Sequence, residues 1–232
     1  MRGVIKELAS EIKGVQESDS RLFGVYVARV VDIRDPDGQG RVRVAMQTDA
    51  GSKVDTWARL ATLFAGNERG SWFIPDVDDE VLVAFEKGDV RRPYVLGSLW
   101  NGNDRPPESM DPAGNNYRKV LRSRTGVQIT LDDQSGQVQL ATPGGQSVTL
   151  RDGPGSIEIS DSNGNSVTLE ASGVTVTASA KVTVQANQVA ISASMLTIDA
   201  GMSKFSGVVQ ADTVITNSVI SASYSPGAGN IW

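Results

Sequence analysis

Four carboxylates stand close together in this 232-residue sequence, at Asp76, Asp78, Asp79 and Glu80. Carboxylate oxygens are the ligands that Ca²⁺ prefers, so the cluster is a candidate cation site. Val77 interrupts it, and the alternation of a strand would place neighbouring side chains on opposite faces. The pattern therefore favours a solvated turn, and we expect no bound metal.

Two further acids, Glu158 and Asp161, are of the type that glycoside hydrolysis uses. They fall in a repetitive segment that shows no sign of a cleft. The sequence contains no cysteine and no histidine, which excludes disulfides, thiolate and imidazole metal ligands, cysteine nucleophiles and Ser-His-Asp triads. We expect no catalytic residues, no cofactor and no enzymatic activity.

A basic cluster at Arg118, Lys119, Arg122 and Arg124 has the charge that a nucleic acid would require. No aromatic residues interleave with it, and the whole chain has a net charge of −5, which is unlike a nucleic-acid-binding surface. Salt bridges between subunits are the favoured role, and we expect no nucleic-acid partner.

The charge is distributed unevenly along the chain. Residues 126–232 carry 8 acidic and 3 basic side chains, which accounts for the net charge, because residues 1–125 carry 19 of each. Ten of the 13 aromatic residues also precede residue 126. This shift predicts a domain boundary, and residues 101–116 have the Pro, Gly, Asn and Asp content of a connecting loop. No run of 18 apolar residues occurs, so we expect no membrane span.

Short apolar alternations recur through the second half of the chain. Each has the period of two that is typical of a strand with one buried face. Their starts are spaced 11, 10, 9, 10, 7, 8, 7 and 7 residues apart, so the repeat shortens toward the C-terminus. Regular short strands predict a β-solenoid, and the alternating apolar residues form its predicted needle core. This core comprises Val127, Ile129, Val138, Leu140, Val148, Leu150, Ile157, Ile159, Val167, Leu169, Val174, Val176, Val182, Val184, Val189, Ile191, Leu196 and Ile198.

Each repeat offers only about two inward side chains, too few to offset an ordering cost of about 1–2 kcal/mol per residue. Stacking must supply the rest, either in a β-helix of one chain or in a triangular prism of three intertwined chains, each giving one strand per face in turn. The prism covers every strand edge with another chain's strand. The repeat of 7–10 residues is also longer than the hexapeptide coil of single-chain β-helices. The sequence therefore favours a homotrimer, with the single-chain β-helix as the alternative.

The first half of the chain has two parts. Residues 21–105 alternate strand-like segments with turns, and five or six strands in this length predict a small barrel such as an OB-fold. The first 20 residues instead have apolar side chains at helical spacing, which predicts a short amphipathic helix. Its apolar stripe consists of Val4, Leu8, Ile12 and Val15.

Several segments of the barrel region resemble the OB-fold domain of contractile-tail spikes. This family includes phage baseplate assembly protein V, the tail-spike protein of contractile phages and the valine-glycine repeat (VgrG) spike of type VI secretion. The family usually has Gly-Asp before its strongest strand, where this chain has Asp78-Asp79. The stretch at 118–133 is similar to the passage where those spikes enter their β-helix. The matching barrel segments are Asp35–Val44, Trp57–Arg59, Ala65–Gly66 with Gly70, Pro75–Asp89 and Arg91–Asn101.

The resemblance implies a structural central spike, a membrane-piercing needle at the tip of a contractile injection tube. Its implied partners are further copies of itself, a baseplate hub protein, a tip protein of the PAAR type, effector cargo and the target cell envelope on firing. It also implies assembly in the cytoplasm into a phage tail or tail-like particle, present in a virion or extracellular particle when mature. Only about 20 residues precede the barrel, so we expect neither the hub-like domain nor the lysozyme domain of larger relatives. With no histidine, we do not expect the iron-binding apex of some relatives.

The predicted architecture is all-β, with a short N-terminal helix, an OB-fold barrel and a C-terminal trimeric intertwined triangular β-helix. Two other hypotheses stay open: a β-helical adhesin or carbohydrate-active protein, and an OB-fold nucleic-acid binder. The scarcity of aromatic residues after Gly126 argues against sugar stacking. The predicted parts are residues 1–20 with a hub contact at the apolar stripe, 21–105 as the OB-fold, 106–125 as a neck, 126–220 as the needle, and 221–232 as an apex with tip residues Tyr224, Pro226, Ile231 and Trp232.

Overall fold

A computed structural model describes residues 21–48, 51–153 and 155–223. Over these residues the chain is almost entirely β-structure, with fourteen strands and one 3-10 turn at Glu86–Gly88, which confirms the predicted all-β class. The helix predicted for residues 1–20 lies outside the described residues. No helix within the described ranges has the length and apolar character needed to cross a bilayer. The chain divides into two compact units, Met1–Lys181 and Val182–Trp232.

The first unit opens with a closed barrel of five strands and a small two-stranded hairpin. The barrel strands follow one another in the order β1-β2-β3-β7-β6. All barrel neighbours are antiparallel except β3 and β7, which are parallel. A five-stranded closed barrel of this kind confirms the predicted OB-fold. The strands are β1 Val25–Asp32, β2 Val42–Gln47, β3 Lys53–Leu60, β4 Ala65–Gly66, β5 Arg69–Gly70, β6 Glu80–Phe85 and β7 Pro93–Ser98, with β4 and β5 forming the hairpin.

The barrel interior is filled by small β-branched side chains from alternating strand positions. In β6, Val81, Val83 and Phe85 are buried while the residues between them are only partly covered. Tyr26 packs edge-on against Phe85, with ring centroids 5.8 Å apart. Burying each such side chain contributes about 1.5–3 kcal/mol, so this interior can hold the barrel together in a single chain.

A carboxylate organises the connection between β1 and β2. Asp35 is only 6% exposed at its side chain and accepts hydrogen bonds from the Gln39 amide at 2.7 Å and from Arg41 Nη2 at 2.6 Å. The Arg41 guanidinium holds the pKa of the Asp35 carboxyl well below its usual range. Arg41 also lies 5.8 Å from the Trp57 ring centroid. The Asp-Pro-Asp-Gly turn is thus fastened to the barrel wall by charge-assisted hydrogen bonds.

The position where the family pattern has glycine is strained in this chain. Asp78 adopts φ +77°, in the left-handed region that aspartate tolerates better than most residues. Its amide still donates to the carbonyl oxygen of Val30 at 2.9 Å, and the Val30 amide donates to Asp79 at 3.0 Å. The turn before β6 therefore keeps a left-handed backbone without the glycine.

A seven-stranded antiparallel sheet follows the barrel in the same unit. Each strand has five residues and pairs with the strands next to it in sequence. Through residue 177 the chain therefore pairs with itself, unlike the expected prism in which each chain gives one strand per face in turn. The strands are β8 Arg118–Arg122, β9 Gln128–Asp132, β10 Gln137–Ala141, β11 Ser147–Arg151, β12 Ser156–Ser160, β13 Ser166–Glu170 and β14 Gly173–Thr177.

The tight connections explain this difference. Linkers of a few residues reverse the chain between successive strands, which suits hairpins rather than a crossing to another face. In the β10–β11 connection Gly145 has φ +89°, and a Cβ there would lie 3.1 Å from the Cβ of Ser162 in the β12–β13 turn. Glycine thus allows both the reversal and the close stacking of alternate turns along one sheet edge.

The second unit has no such pairing. Over the described residues 182–223, no residue belongs to a strand paired within the chain. Most of its apolar side chains, such as Val184 and Ile191, are more than half exposed.

Candidate functional site

Two unbroken columns of apolar side chains cross one face of the seven-stranded sheet. The strand register places each member directly opposite the next, and alternation along the strands puts both columns on the same face. We call these thirteen residues the apolar face. The first column is Leu131, Val138, Leu150, Ile157, Leu169 and Val174, and the second is Leu121, Ile129, Leu140, Val148, Ile159, Val167 and Val176.

Within the first unit, the described residues leave this face largely uncovered. Eleven of the thirteen side chains are between 37% and 67% exposed, and Val148 and Val167 are half-buried. Contiguous apolar patches of this kind are rare on soluble monomers and mark surfaces that bind another macromolecule. The apolar face is therefore the candidate functional site, and it is suited to binding another protein surface.

The opposite face of the sheet is polar, and several of its side chains bond to one another. Gln139 Nε2 donates to Thr149 Oγ1 at 3.3 Å, and Arg151 Nη1 lies 3.0 Å from Glu158 Oε2. Thr149 is buried beneath these longer side chains. The two faces of the sheet thus differ in side-chain polarity, and only the polar face is suited to contact with solvent.

The predicted needle core falls in three places. Eleven of its residues, from Ile129 to Val176, lie in the two columns, and Val127 lies one residue before β9. The other six, Val182, Val184, Val189, Ile191, Leu196 and Ile198, lie in the second unit and are each more than half exposed. The predicted hub-contact and tip residues Val4, Leu8, Ile12, Val15, Tyr224, Pro226, Ile231 and Trp232 lie outside the described residues.

The sequence did not point to Leu121, which begins the second column opposite Ile129. Its strand β8 lies inside the segment that we predicted as a neck. The sequence Arg-Lys-Val-Leu-Arg has one adjacent apolar pair and no alternation, so only its pairing with β9 reveals it as a sheet strand.

The basic cluster makes contacts within one chain. Arg124 Nη1 lies 3.5 Å from Asp76 Oδ2 and joins the β8–β9 turn to the loop before β6. Arg118 Nη2 lies 3.4 Å from Glu108 Oε1, and Lys119 Nζ donates to the Asn116 carbonyl. Of these contacts, only the one between Arg124 and Asp76 joins the start of the sheet to the barrel.

The acidic cluster is spread over different partners. Asp76 faces Arg124, Asp78 Oδ1 lies 3.7 Å from Arg29, and Glu80 Oε2 accepts from Asn101 at 3.4 Å. Asp79 instead accepts from the Asp76 amide at 2.8 Å. In the described part of the chain no three side chains of metal-ligand type are grouped for an ion.

The two ends of the barrel have different neighbours. The Leu22 amide donates to the Gly88 carbonyl at 3.0 Å, so the chain enters beside the turn between β6 and β7. The sheet adjoins the opposite end, where β6 begins and Asp76 meets Arg124. Arg21 and Leu22 therefore lie at the end of the barrel remote from the sheet.

The β12–β13 turn carries a titratable hydrogen-bond acceptor. Asp161 Oδ1 accepts from the amides of Asn163 at 2.8 Å and Asn165 at 3.0 Å, and Oδ2 accepts from Asn165 Nδ2 at 2.8 Å. The Asn165 side-chain and backbone donors lower the pKa of Asp161 to about 2.

This depressed pKa predicts a pH dependence. A carboxyl whose folded-state pKa lies below its unfolded value of 3.8 stabilises the fold above that value and loses this contribution as the pH falls toward about 2. We expect Asp161→Asn to lower the melting temperature at pH 6 and to flatten its decline between pH 5 and pH 2. Calorimetric melting across that range measures both effects. Equal pH profiles for the variant and the parent would contradict this assignment.

Two protein-family models match the chain, one over the barrel and one over most of the apolar face. The type VI secretion system/phage-baseplate injector OB domain matches residues 26–100, which hold the barrel. The phage baseplate V C-terminal trimerisation domain matches residues 137–197, which include most of the apolar face. Together the matches span more than half of the 232 residues.

Curated relatives match the chain over a shorter length. A type VI secretion system spike protein VgrG4b of Pseudomonas aeruginosa is 34% identical over 114 residues, 45% of this chain and 14% of that protein. The spike protein VgrG3 of Vibrio cholerae is 30% identical over 113 residues, 45% of this chain and 11% of that protein. An actin cross-linking toxin VgrG1 of Vibrio cholerae is 27% identical, with 10% of its length covered. The match thus spans well under a fifth of each of these three relatives.

An injector-type OB barrel followed by a trimerisation domain defines a baseplate spike component. These matches identify the chain as similar to the contractile-tail spikes, a family that includes phage baseplate assembly protein V and the VgrG spikes of type VI secretion. The predicted resemblance is confirmed.

Proposed function

We propose that this protein is the central spike of a contractile injection system and that three copies associate through the apolar face. The observation that carries this proposal is the pair of apolar columns that one chain leaves exposed. Three such sheets, each turning its apolar face inward, would enclose a shared interior and leave the polar faces in water. Burial at about 25 cal/mol per Å² of apolar surface would drive the association.

The second unit supports the same conclusion. Backbone N–H and C=O groups need hydrogen-bond partners once they are removed from water, and none of the described residues in 182–223 finds a strand partner within the chain. Strands from two other copies can supply these bonds. We infer that the predicted core residues from Val182 to Ile198 become buried when the three chains intertwine in this segment.

The different neighbours of the two barrel ends support a hub contact by the N-terminal segment. The first described residues, Arg21 and Leu22, lie at the end of the barrel remote from the sheet, beside Gly88. The hub would then hold one end of the barrels while the sheets project from the other. A PAAR-type tip protein at residues 221–232, effector cargo and penetration of a target envelope complete the proposal, and they rest on the family resemblance.

We propose a mechanical and not an enzymatic role. The names of the matched relatives describe spike proteins, and one describes an actin cross-linking toxin. The segment shared with that toxin is a tenth of its length, so its activity is not carried over to this chain.

The oligomer mass tests the proposed assembly. We expect native mass measurement of the full chain to give three times the monomer mass, and we expect the complex to persist on dilution to nanomolar concentration. Because the interior is apolar, moderate salt should leave it intact. A folded single chain at high dilution would reject both the trimer and the spike role.

A further inference from the structure

An exposed apolar hairpin projects from the barrel between β3 and β6. We define the apolar hairpin by four side chains that flank β4 and β5: Leu63, Phe64, Trp72 and Phe73. They are 92%, 59%, 76% and 70% exposed, respectively. Aromatic side chains bury 150–250 Å² each when covered, so this exposure is costly for a chain that stays alone.

The hairpin backbone is held in place and is not a loose loop. The Ser71 amide donates to the Phe64 carbonyl at 3.1 Å, and Thr62 Oγ1 donates to the Ser71 carbonyl at 2.8 Å. Gly70 ends β5, at a position where a Cβ would come within 2.9 Å of the Phe64 carbonyl oxygen. The apolar side chains are therefore presented outward by an ordered element.

A second contact fixes the returning strand of the hairpin. An atom of the Trp72 ring lies 3.2 Å from the position that a Cβ on Gly40 would occupy. Gly40 follows the Asp35 turn, which is itself fastened by Arg41. The ring edge thus rests on a rigid loop, yet most of the Trp72 side chain remains uncovered.

The hairpin stands beside the start of the apolar face. Asp76 follows Phe73 by three residues and pairs with Arg124 in the β8–β9 turn at 3.5 Å. Strands β8 and β9 carry the first two members of the second column, Leu121 and Ile129. The apolar hairpin and the start of the apolar face are therefore neighbours.

We propose that the apolar hairpin of each copy packs against the next copy of this chain, so that the barrels share in the assembly interface. This inference rests on the proposed three-chain spike. In a cyclic trimer each copy presents two different surfaces to its neighbours, so a projecting element on one side finds a different surface on the next copy. The trimerisation domain tethers the three barrels close together, which gives this contact a high effective concentration. Aromatic side chains are also the residues most enriched in protein interfaces.

Photo-cross-linking of the full chain tests the contact. A p-benzoylphenylalanine replaces Phe73 in one sample and Phe23 in a matched control. Phe23 is also an exposed phenylalanine, at 65%, but it lies beside Gly88 at the other end of the barrel. Native mass is measured first, and irradiated samples are then separated under denaturing conditions.

We expect a trimer from both samples, and at least about tenfold more covalent two- and three-chain product from position 73, because the probe reacts only with atoms that it touches. A trimer without interchain product from position 73, product within one chain only, or equal yields from both positions would each overturn the hairpin contact while leaving the spike assembly in place. A single-chain native mass would overturn both.

Discussion

Val176→Asp should abolish the trimer while leaving the single chain folded. Val176 ends the second apolar column and is 58% exposed in one chain, so a carboxylate there meets water before assembly. In the proposed assembly the substitution puts three carboxylates at one level of an apolar interior. Each uncompensated buried charge costs several kcal/mol. Native mass should show monomers at concentrations where the parent is trimeric.

The matched control is Thr175→Asp, one residue earlier in the same strand. Thr175 is also exposed, but it belongs to the polar face, opposite Thr168. We expect this variant to remain trimeric with a melting temperature close to that of the parent. If Val176→Asp assembles like Thr175→Asp, the apolar face does not line the interior.

Phe85→Ala should destabilise the barrel without dissolving the trimer. Phe85 is 8% exposed at the end of β6 and packs on Tyr26, so its loss removes apolar contacts and leaves a cavity. Such truncations cost about 3–5 kcal/mol. Because the apolar face lies in another sheet, we expect the native mass to stay trimeric. Hydrogen exchange should show faster exchange in β1 and β6 and unchanged exchange in β10 to β13.

Phe23→Ala is the comparison for this variant. The Phe23 side chain is 65% exposed, and its truncation should change barrel stability little. Dissociation of the trimer by Phe85→Ala would mean that the barrel, and not the sheet, holds the copies together.

Alternation was the part of the fold that local sequence predicted well. Val81, Val83 and Phe85 in the barrel, and Ile157 and Ile159 in the sheet, follow a period of two, because one face of each strand is apolar. The same pattern cannot tell which strand pairs with which. The hairpin pairing through residue 177 depends on short, glycine-containing connections. The backbone geometry of these connections became visible only in the structure.

Other features had weak local signals. Leu121 was missed because its strand has no alternation, and its place is set by Ile129 opposite. Trp72 and Phe73 were visible as apolar residues, but composition does not reveal that they stay exposed. Arg124 was expected to pair between chains, and its partner Asp76 in the same chain is distant in sequence.

The local pairing of β8 to β14 has a consequence for the order in which the protein matures. Sheets built from neighbouring hairpins form quickly, since little loop entropy must be overcome. Each newly made chain can thus fold the seven-stranded sheet alone. In the assembly proposed above, residues 182–223 become ordered only after three chains have met. The rate of association between chains would then depend on the expression level. At low expression, partly folded monomers with an exposed apolar face would accumulate.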